Sequence, residues 1–500
     1  MTTPPRPARP RRLSWLLLLL GCTVLAHAAR APDFDPVAET EKLLNTMPAE
    51  ARAKSDAYFE GGYWLQAWDQ VVTIAFYGIL LGFGFTRRMR DWAESEKTTR
   101  RLLTLLIFLG TWLVTAAGLK QALPAAGEAW WILRFALSPV LGGVVAFVLL
   151  RSRIPRWLGR PGLRYFVSGV YFFFLVTMTS WVVTMPWGLY VGYYREHAYG
   201  LSNLSLGDWF GESVKGQGLF VLFFSFLGAL LYLAIRRWPA GWWVRAAVAT
   251  PVLLFLAIVI APVYIAPVFN TYVPLKDPQV RDPILSLARA NGVPVEHVYE
   301  FDASKQSKRI SANVSGAFGT IRVSLNDNLL GRCTPAEVMA VMGHELGHYV
   351  LNHVYKLVIY QALMFGAVFA FTHWFFGAAN RRWGARAGVR GVDDFAGLPL
   401  LLVGMSLAMF VLTPVRNSIV RTTESEADIF GLNAAREPDG FAATALKLSE
   451  YRKLAPGPWE EIIFFDHPSG YQRILMAMRW KAEHRPDRRG PDRPAGTIVK

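Results

Sequence analysis

The chain has 500 residues, a formal net charge of +16 and 53% hydrophobic residues, with a mean hydropathy of +0.25. This composition is too apolar for a soluble enzyme, and the apolar residues come in blocks, which indicates a membrane protein. The positive charge does not indicate nucleic-acid binding, because the basic residues lie in short loops between the apolar blocks.

The first 30 residues have the pattern of a targeting segment. A basic stretch at 6–12 precedes an apolar core at 13–20 and a small-x-small end, Ala-His-Ala, at 26–28. This pattern favours a cleaved signal peptide and leaves a retained N-terminal anchor as the alternative. Residues 31–68 are polar and rather acidic, which predicts a short extramembrane helical stretch.

Eight apolar blocks follow, and each is close to the roughly 20 residues that cross a hydrocarbon core. A re-entrant or interfacial helix is the alternative for any one of them, especially the shorter ones. The predicted spans are about 70–86, 102–118, 130–150, 165–190, 217–235, 244–265, 355–377 and 396–414.

The loops between these blocks carry most of the positive charge. Counted through the spans, four basic loops fall on one side, which predicts that this side is cytoplasmic. The segment at 266–354 then lies on the opposite, extracytoplasmic face. The four loops are 87–101, 151–164, 236–237 and 381–390.

The residues His344-Glu345-Leu346-Gly347-His348 form an H-E-x-x-H motif inside an apolar helical run. Positions four apart stack on one helix face, so both imidazoles can bind one metal ion, and Glu345 lies beside them as a general base. Thr334-Pro335-Ala336-Glu337 predicts a capping box that starts this helix. The motif predicts a zinc metallopeptidase site.

The third metal ligand must come from elsewhere in the chain. An extended motif with a third histidine at position 354 fails, because position 354 is Val, and His353 is interpreted as an ordinary helix-end histidine. Downstream, Glu424 and Asp428 lie four apart on a second predicted helix, so Glu424 can bind zinc while Asp428 orients a ligand imidazole. Glu426 points away from that pair and is interpreted as a solvated or structural residue.

Two strands are predicted before the zinc-motif helix. Residues 295–302 and 320–326 alternate as strands, after a helix between Asp282-Pro283 and Asn291-Gly292. The second strand precedes the motif helix directly, where an edge strand can pair with an extended peptide substrate. An ordinary, fully paired sheet strand is the alternative.

Several further motifs occur in order along the chain. They are Glu196-His197-Ala198-Tyr199-Gly200-Leu201-Ser202-Asn203, Tyr264-Ile265-Ala266-Pro267-Val268-Phe269, the zinc motif, the run from Glu424 to Asp428, and His467-Pro468 with Arg473. In this set, from about Tyr194 to Arg479, the chain resembles the integral-membrane zinc metallopeptidases typified by CAAX prenyl protease 1.

The resemblance implies a mainly α-helical, polytopic membrane protein with a gluzincin-type zinc peptidase site and a small β element. Its helices would enclose an intramembrane chamber, because charged ligands at membrane depth must line a cavity. The resemblance also implies that His344, His348 and Glu424 bind one Zn²⁺ per chain, that Glu345 is the base and that Asp428 supports His344. His467 and Arg473 would stabilise the substrate or the oxyanion.

This chain departs from the family pattern in two ways. Ser311-Ala312 stands where the family has an Asn-Ala pair opening its substrate strand, and the chain has one or two more N-terminal spans than the usual seven. With an extracytoplasmic site, a prenylated CAAX protein is a doubtful substrate. The partners expected are a peptide or protein substrate, lipid-modified or otherwise membrane-associated, and the lipid bilayer, with no nucleic acid.

The sequence therefore predicts a multi-pass zinc endopeptidase in which a zinc-activated water attacks the peptide bond. The alternatives are an HtpX-type quality-control protease of the membrane and a catalytically silent membrane scaffold. The predicted organisation is a targeting segment (1–30), an extramembrane segment (31–68), membrane helices (69–265), a catalytic segment (266–354), two membrane helices (355–414), catalytic helices with the third ligand (415–480) and a disordered tail (481–500).

Overall fold

The structure is a computed structural model that describes residues 34–122, 138–148, 160–316 and 321–484. The predicted targeting segment at 1–30 and the tail from 485 onward lie outside these residues, as do parts of the predicted span at 130–150 and of the basic loop at 151–164. The described chain is mainly helical and contains one small sheet, which confirms the predicted fold class.

The helices that precede the sheet belong to the membrane region or lead into it. One predicted boundary, between residues 68 and 69, falls inside a single continuous helix. The helices are α1 (Pro36–Leu44), α2 (Ala49–Gly82), α3 (Phe85–Glu94), α4 (Glu96–Ala122), α5 (Ser138–Val148), α6 (Pro161–Leu189), α7 (Leu206–Arg237) and α8 (Trp242–Ile260).

The remaining helices lie within or after the catalytic segment. They are α9 (Pro278–Ala290), α10 (Asp327–Arg332), α11 (Pro335–Val350), α12 (His353–Ala379), α13 (Leu398–Val411), α14 (Thr413–Ala435), α15 (Pro438–Leu448), α16 (Pro458–Phe464) and α17 (Gly470–Glu483).

Four described helices are long and apolar enough to cross a membrane, and two bent helix pairs pass the same test together. The chain is therefore an integral membrane protein. The bends are 62° between α2 and α3 and 53° between the segment Phe395–Val411 and α14. The first bend lies at Gly84, whose φ of 67° is the left-handed conformation that glycine adopts without a Cβ penalty. The four single helices are Pro161–Ala198, Leu206–Arg237, Trp242–Phe269 and His353–Ala387.

The membrane helices hold a small buried core and leave much apolar surface outside. Phe172, Phe173, Tyr232 and Phe395 are almost fully buried, and their rings pack against one another at 5.0–5.9 Å between centroids. By contrast, the most apolar 18-residue window of Trp242–Phe269 contains no fully buried residue. Such an apolar exterior is what a lipid environment stabilises.

The sheet contains four short strands in the order β1-β2-β4-β3, where β1 is Tyr272–Pro274, β2 Val298–Phe301, β3 Ala312–Ser315 and β4 Arg322–Asn326. β2 and β4 run parallel, and the other two pairs are antiparallel. The strand predicted at 320–326 is therefore central and paired on both sides, so its interpretation as an edge strand is wrong. β3 is an edge strand, because it pairs with β4 alone among the described strands.

Helix α11, which carries the H-E-x-x-H motif, begins as the sequence predicts. The Thr334 side chain accepts from the backbone of Glu337, and the Glu337 carboxylate accepts from the Thr334 N–H at 2.6 Å. Burial would raise the pKa of Glu337, but hydrogen bonds from Lys447 and from Thr334 outweigh it and hold this pKa below its ordinary value. The carboxylate thus stays charged and keeps the helix start in place.

Helices α11 and α14 pack closely because glycine lies on both sides of their contact. A Cβ at Gly343 would stand 2.9 Å from the carbonyl oxygen of Gly431, and a Cβ at Gly431 would stand 2.7 Å from the backbone nitrogen of His344. Gly347 faces the backbone of Ala427 at 3.2 Å in the same way. Larger side chains would push the helices apart. This close approach brings the carboxylates of α14 to the histidines of α11.

Candidate active site

Three side chains that can bind a metal converge between α11 and α14. The Nε2 atoms of His344 and His348 lie 3.1 Å apart, and the Glu424 carboxylate oxygens lie 3.2 Å from the first and 3.6 Å from the second. Three ligands at a bond length of about 2.0–2.1 Å in a tetrahedral site stand about 3.3 Å from one another. The observed spacing therefore fits one metal ion of that size.

The chemistry of the three donors fits a metal as well. Among the described residues these three form a group that could hold a metal ion, and Glu424 Oε2 is buried without a hydrogen bond. Burying a carboxylate oxygen without a hydrogen bond lowers the stability of the fold unless a cation binds that oxygen. Two imidazoles and one carboxylate are ligands that zinc accepts.

The imidazole of His344 is held by a buried carboxylate. Its Nδ1 lies 2.7 Å from Asp428 Oδ1, and Asp428 is fully buried. Arg473 donates to both oxygens of the same carboxylate, from Nε at 2.9 Å and from Nη2 at 2.5 Å. The ring orientation of His344 is therefore set by a charge-balanced pair in the protein interior.

The imidazole of His348 is held in a different way. His353 Nδ1 lies 2.9 Å from His348 Nδ1, and His353 Nε2 lies 3.0 Å from Glu426 Oε2. His353 lies at a helix end and outside the group of possible ligands, as predicted, but its ring is buried against His348. Glu426 points away from Glu424, as predicted, but it has partners in His353 and Lys356. These partners agree with the interpretation of Glu426 as a solvated or structural residue, whereas the contact of His353 with His348 was not predicted from the sequence.

A cavity opens beside His344 and collects the other predicted site residues. Glu345, His467 and Arg473 line it together with His344. His467 Nε2 lies 3.3 Å from Glu424 Oε2, while its Nδ1 lies 2.8 Å from Asp466. Burial raises the pKa of the Glu345 carboxyl above its ordinary value, although the imidazoles of His344 and His348 oppose this.

The rim of the same cavity is formed by the residues that open the edge strand. Ser311 and Ala312 line it, and the Asn326 side chain fixes them, since its Oδ1 accepts from the Ser311 N–H and its Nδ2 donates to the Arg309 carbonyl. Apolar side chains supply much of the remaining wall, namely those of Leu329, Val341, Phe441 and Leu448.

Two family models match consecutive parts of the chain. Residues 274–481 match the model described as peptidase family M48, and residues 129–271 match the model described as CAAX prenyl protease N-terminal, five membrane helices. The second match is expected for a CAAX prenyl protease-like chain. The two matched regions divide the chain close to the end of Trp242–Phe269.

Known proteins share this similarity over most of their length. The uncharacterized metalloprotease YhfN of Bacillus subtilis is 30% identical over 366 residues, covering 72% of this chain and 85% of the relative. CAAX prenyl protease 1 of Saccharomyces cerevisiae is 26% identical, with 60% and 70% covered. The crystal structure of S. mikatae Ste24p has a TM-score of 0.56 at 19% identity, covering 82% of this chain and 98% of that one, and shows the fold.

The fold and the relatives together define a membrane-embedded metalloendopeptidase. Its substrate is a peptide or protein, and its site is built around a metal. The chain belongs to peptidase family M48 and, within it, resembles the CAAX prenyl proteases. A catalytically silent scaffold is not supported, because the metalloprotease similarity extends over most of the chain.

Proposed function

We propose that this protein hydrolyses peptide bonds with one Zn²⁺ per chain, bound by His344, His348 and Glu424. The observation that carries the proposal is the spacing of 3.1–3.6 Å between their donor atoms, with Glu345 in the wall of the adjoining cavity. When bound, zinc supplies a Lewis acid that polarises the scissile carbonyl and lowers the pKa of a coordinated water toward about 7.

The protein's own residues move the protons and stabilise the charge. Glu345 takes a proton from the attacking water and later delivers it to the leaving amine. His467 is the donor toward the oxyanion in its doubly protonated form, because its Nδ1–H donates to Asp466 and its Nε2, beside Glu424 at the cavity, must then carry a second proton. Arg473 uses Nε and Nη2 on Asp428, so its first role is to position Asp428, and it acts on the oxyanion through its positive charge.

The cavity suggests how a peptide is held. We propose that an extended substrate runs beside Ser311-Ala312 and β3, whose outer edge is free to pair among the described strands. The apolar wall at Leu329, Val341 and Phe441 favours an apolar side chain next to the scissile bond. A lipid-modified or otherwise membrane-associated peptide is the substrate class proposed, and the intramembrane chamber and the domain division remain predictions.

The orientation proposal rests on contacts made by residues in or next to the basic loops. Arg90 pairs with Asp394 at 2.6 Å, Arg390 pairs with Glu94 at 3.0 Å, and the Arg236 guanidinium lies over the Tyr165 ring at 4.4 Å. The first two contacts join the first basic loop to the fourth, which supports placing both loops on one side of the membrane. We propose that this side is cytoplasmic and that the metal site faces the other side.

A cysteine introduced near residue 490 tests this orientation with an impermeant thiol reagent in intact cells. The expected result is labelling before the membrane is broken, whereas Arg382→Cys in the fourth basic loop should be labelled only afterwards. The reverse pattern would place the catalytic face in the cytosol and make a CAAX-like substrate plausible again.

The central test of the proposed function is Glu345→Gln. This change keeps the shape and removes the base, so zinc should remain bound while peptide hydrolysis falls by at least about 100-fold. The measurements are metal content per protein and turnover of a peptide in detergent or proteoliposomes. Hydrolysis near the parent rate would contradict the role of Glu345, and absence of zinc from the parent protein would contradict the metal assignment.

A further inference from the structure

His353 is a buried histidine whose two ring nitrogens are both engaged. It is 1% exposed and is the first residue of α12, directly after Asn352, whose φ of 57° lies in the left-handed region and separates α11 from α12. Its Nδ1 meets His348 Nδ1 at 2.9 Å and its Nε2 meets Glu426 Oε2 at 3.0 Å. Nothing in the family resemblance assigns this residue a role.

The hydrogen bonds allow one assignment of the protons if His348 binds the metal. The ligand atom is His348 Nε2, which faces His344 Nε2 and Glu424, so the proton of a neutral His348 stays on Nδ1. That N–H donates to His353 Nδ1, which must then be unprotonated. His353 carries its own proton on Nε2 and donates it to the Glu426 carboxylate.

We propose that His353 and Glu426 are positioning residues for His348, in the same way that Asp428 is for His344. The inference rests on the proposed function, because it takes His348 as a metal ligand. Glu426 projects from the face of α14 opposite Glu424, and Lys356 donates to its carboxylate at 2.8 Å. The neutral imidazole of His353 connects this carboxylate to His348. The two hydrogen bonds that link His348 through His353 to Glu426 fix the tautomer and ring orientation of His348 and raise its basicity as a ligand.

Three substitutions of His353 separate this role from simple packing. An asparagine amide oxygen falls near the Nδ1 position of histidine and can accept from His348, whereas a glutamine amide falls near Nε2 and leaves His348 without an acceptor. His353→Leu removes both contacts. We expect Zn²⁺ affinity, measured by competition with a chelator, to fall about 10–100-fold in the Leu and Gln variants. His353→Asn should recover most of that loss.

Thermal unfolding with and without Zn²⁺ distinguishes a positioning role of His353 from a packing role. A packing role lowers the melting temperature of both forms alike, whereas a positioning role reduces the increase that zinc produces. His373→Leu, a histidine on the same helix away from the site, is the matched control and should leave zinc affinity unchanged.

The result that would overturn the inference is unchanged zinc affinity in both His353→Leu and His353→Gln, or an equal loss in Asn, Gln and Leu. His348→Ala is measured beside them to separate the two levels of the proposal. If His348→Ala keeps its zinc, the proposed function fails. If His348→Ala loses zinc while His353→Leu keeps parental affinity, only the positioning role fails.

Discussion

The two histidines of the zinc motif lie one helical turn apart, yet the protein supports them by different means. His344 contacts a carboxylate directly, and that carboxylate is fully buried and paired with Arg473. His348 is linked to a carboxylate only through the imidazole of His353. That carboxylate belongs to Glu426, whose side chain is 43% exposed. We call Asp428 with Arg473 the Asp428 arm, and His353 with Glu426 the Glu426 arm.

The difference follows from where each arm meets solvent. A carboxylate in the interior needs a buried cation, because an unpaired buried charge is far costlier than a neutral group. At the periphery a neutral imidazole can carry the hydrogen bond inward while the charge stays in water, where desolvation costs little. One motif thus has one arm tied to the stability of the fold and one arm nearly independent of it.

The largest expected effect separates the ligand from the arms. Glu424→Ala should strip zinc or loosen it greatly, whereas Glu426→Ala should keep zinc bound at saturating metal, because only Glu424 offers an oxygen to the site. The measurement is metal content per protein after purification in buffer with added zinc. The reverse order in the two variants would mean that the third ligand is misassigned.

The next effect tests whether the Asp428 arm is tied to the fold. Asp428→Ala leaves Arg473 buried without its partner, so the metal-free protein should lose on the order of 3–5 kcal/mol of stability. A lowered melting temperature of metal-free protein is the measurement, and Glu426→Ala is the matched control with little change. Adding Arg473→Met to Asp428→Ala should recover part of the loss. Equal destabilisation by Asp428→Ala and Glu426→Ala would remove the distinction between the arms.

A smaller effect is expected at the start of α11, the helix that carries both histidines. Thr334→Ala removes the cap of α11 and should cost about 1 kcal/mol of stability. Because the cap lies at the far end of the helix from His348, zinc affinity should stay within about twofold of the parent. A larger loss of affinity would show that the helix start, rather than the arms, positions the histidines.

The smallest effect concerns charge in the Glu426 arm. Glu426→Gln keeps an acceptor for His353 and removes a half-exposed charge, so the change in zinc-binding free energy should stay within about 1 kcal/mol. That change should shrink further at high salt, because solvent-exposed charges are screened. Zinc affinity at low and high ionic strength provides the measurement, and a loss that persists undiminished at high salt would indicate that Glu426 acts as a buried charge.

Much of the architecture was predictable because it depends on local patterns. The apolar blocks at 165–190, 217–235, 244–265 and 355–377 each fall inside one helix that is long enough to cross a membrane. The capping box at Thr334 and the helix that follows it also agree with the sequence. Each of these features is decided within one contiguous stretch of the chain, about 20 residues for a membrane span and four for the capping box, so a local pattern is enough to predict it.

The strand prediction failed for a physical reason of the opposite kind. Alternation in residues 320–326 indicates a strand but not its neighbours, and the structure places β4 between β2 and β3. Its successive residues Val323, Ser324 and Leu325 are all buried, which shows that both faces of the sheet are covered at this strand. The edge position belongs to β3, whose four residues are too few for periodicity to distinguish them from a loop.

The sequence by itself determined the zinc motif, the helix that carries it and the membrane character of the chain, because these follow from helical spacing and apolar run length. Only the tertiary structure decided that His353 lies against His348, that Arg473 pairs with Asp428, and that α11 and α14 approach so closely that glycine is needed at their contact. These contacts join residues on different elements, and their existence depends on how the helices pack rather than on any pattern along one of them.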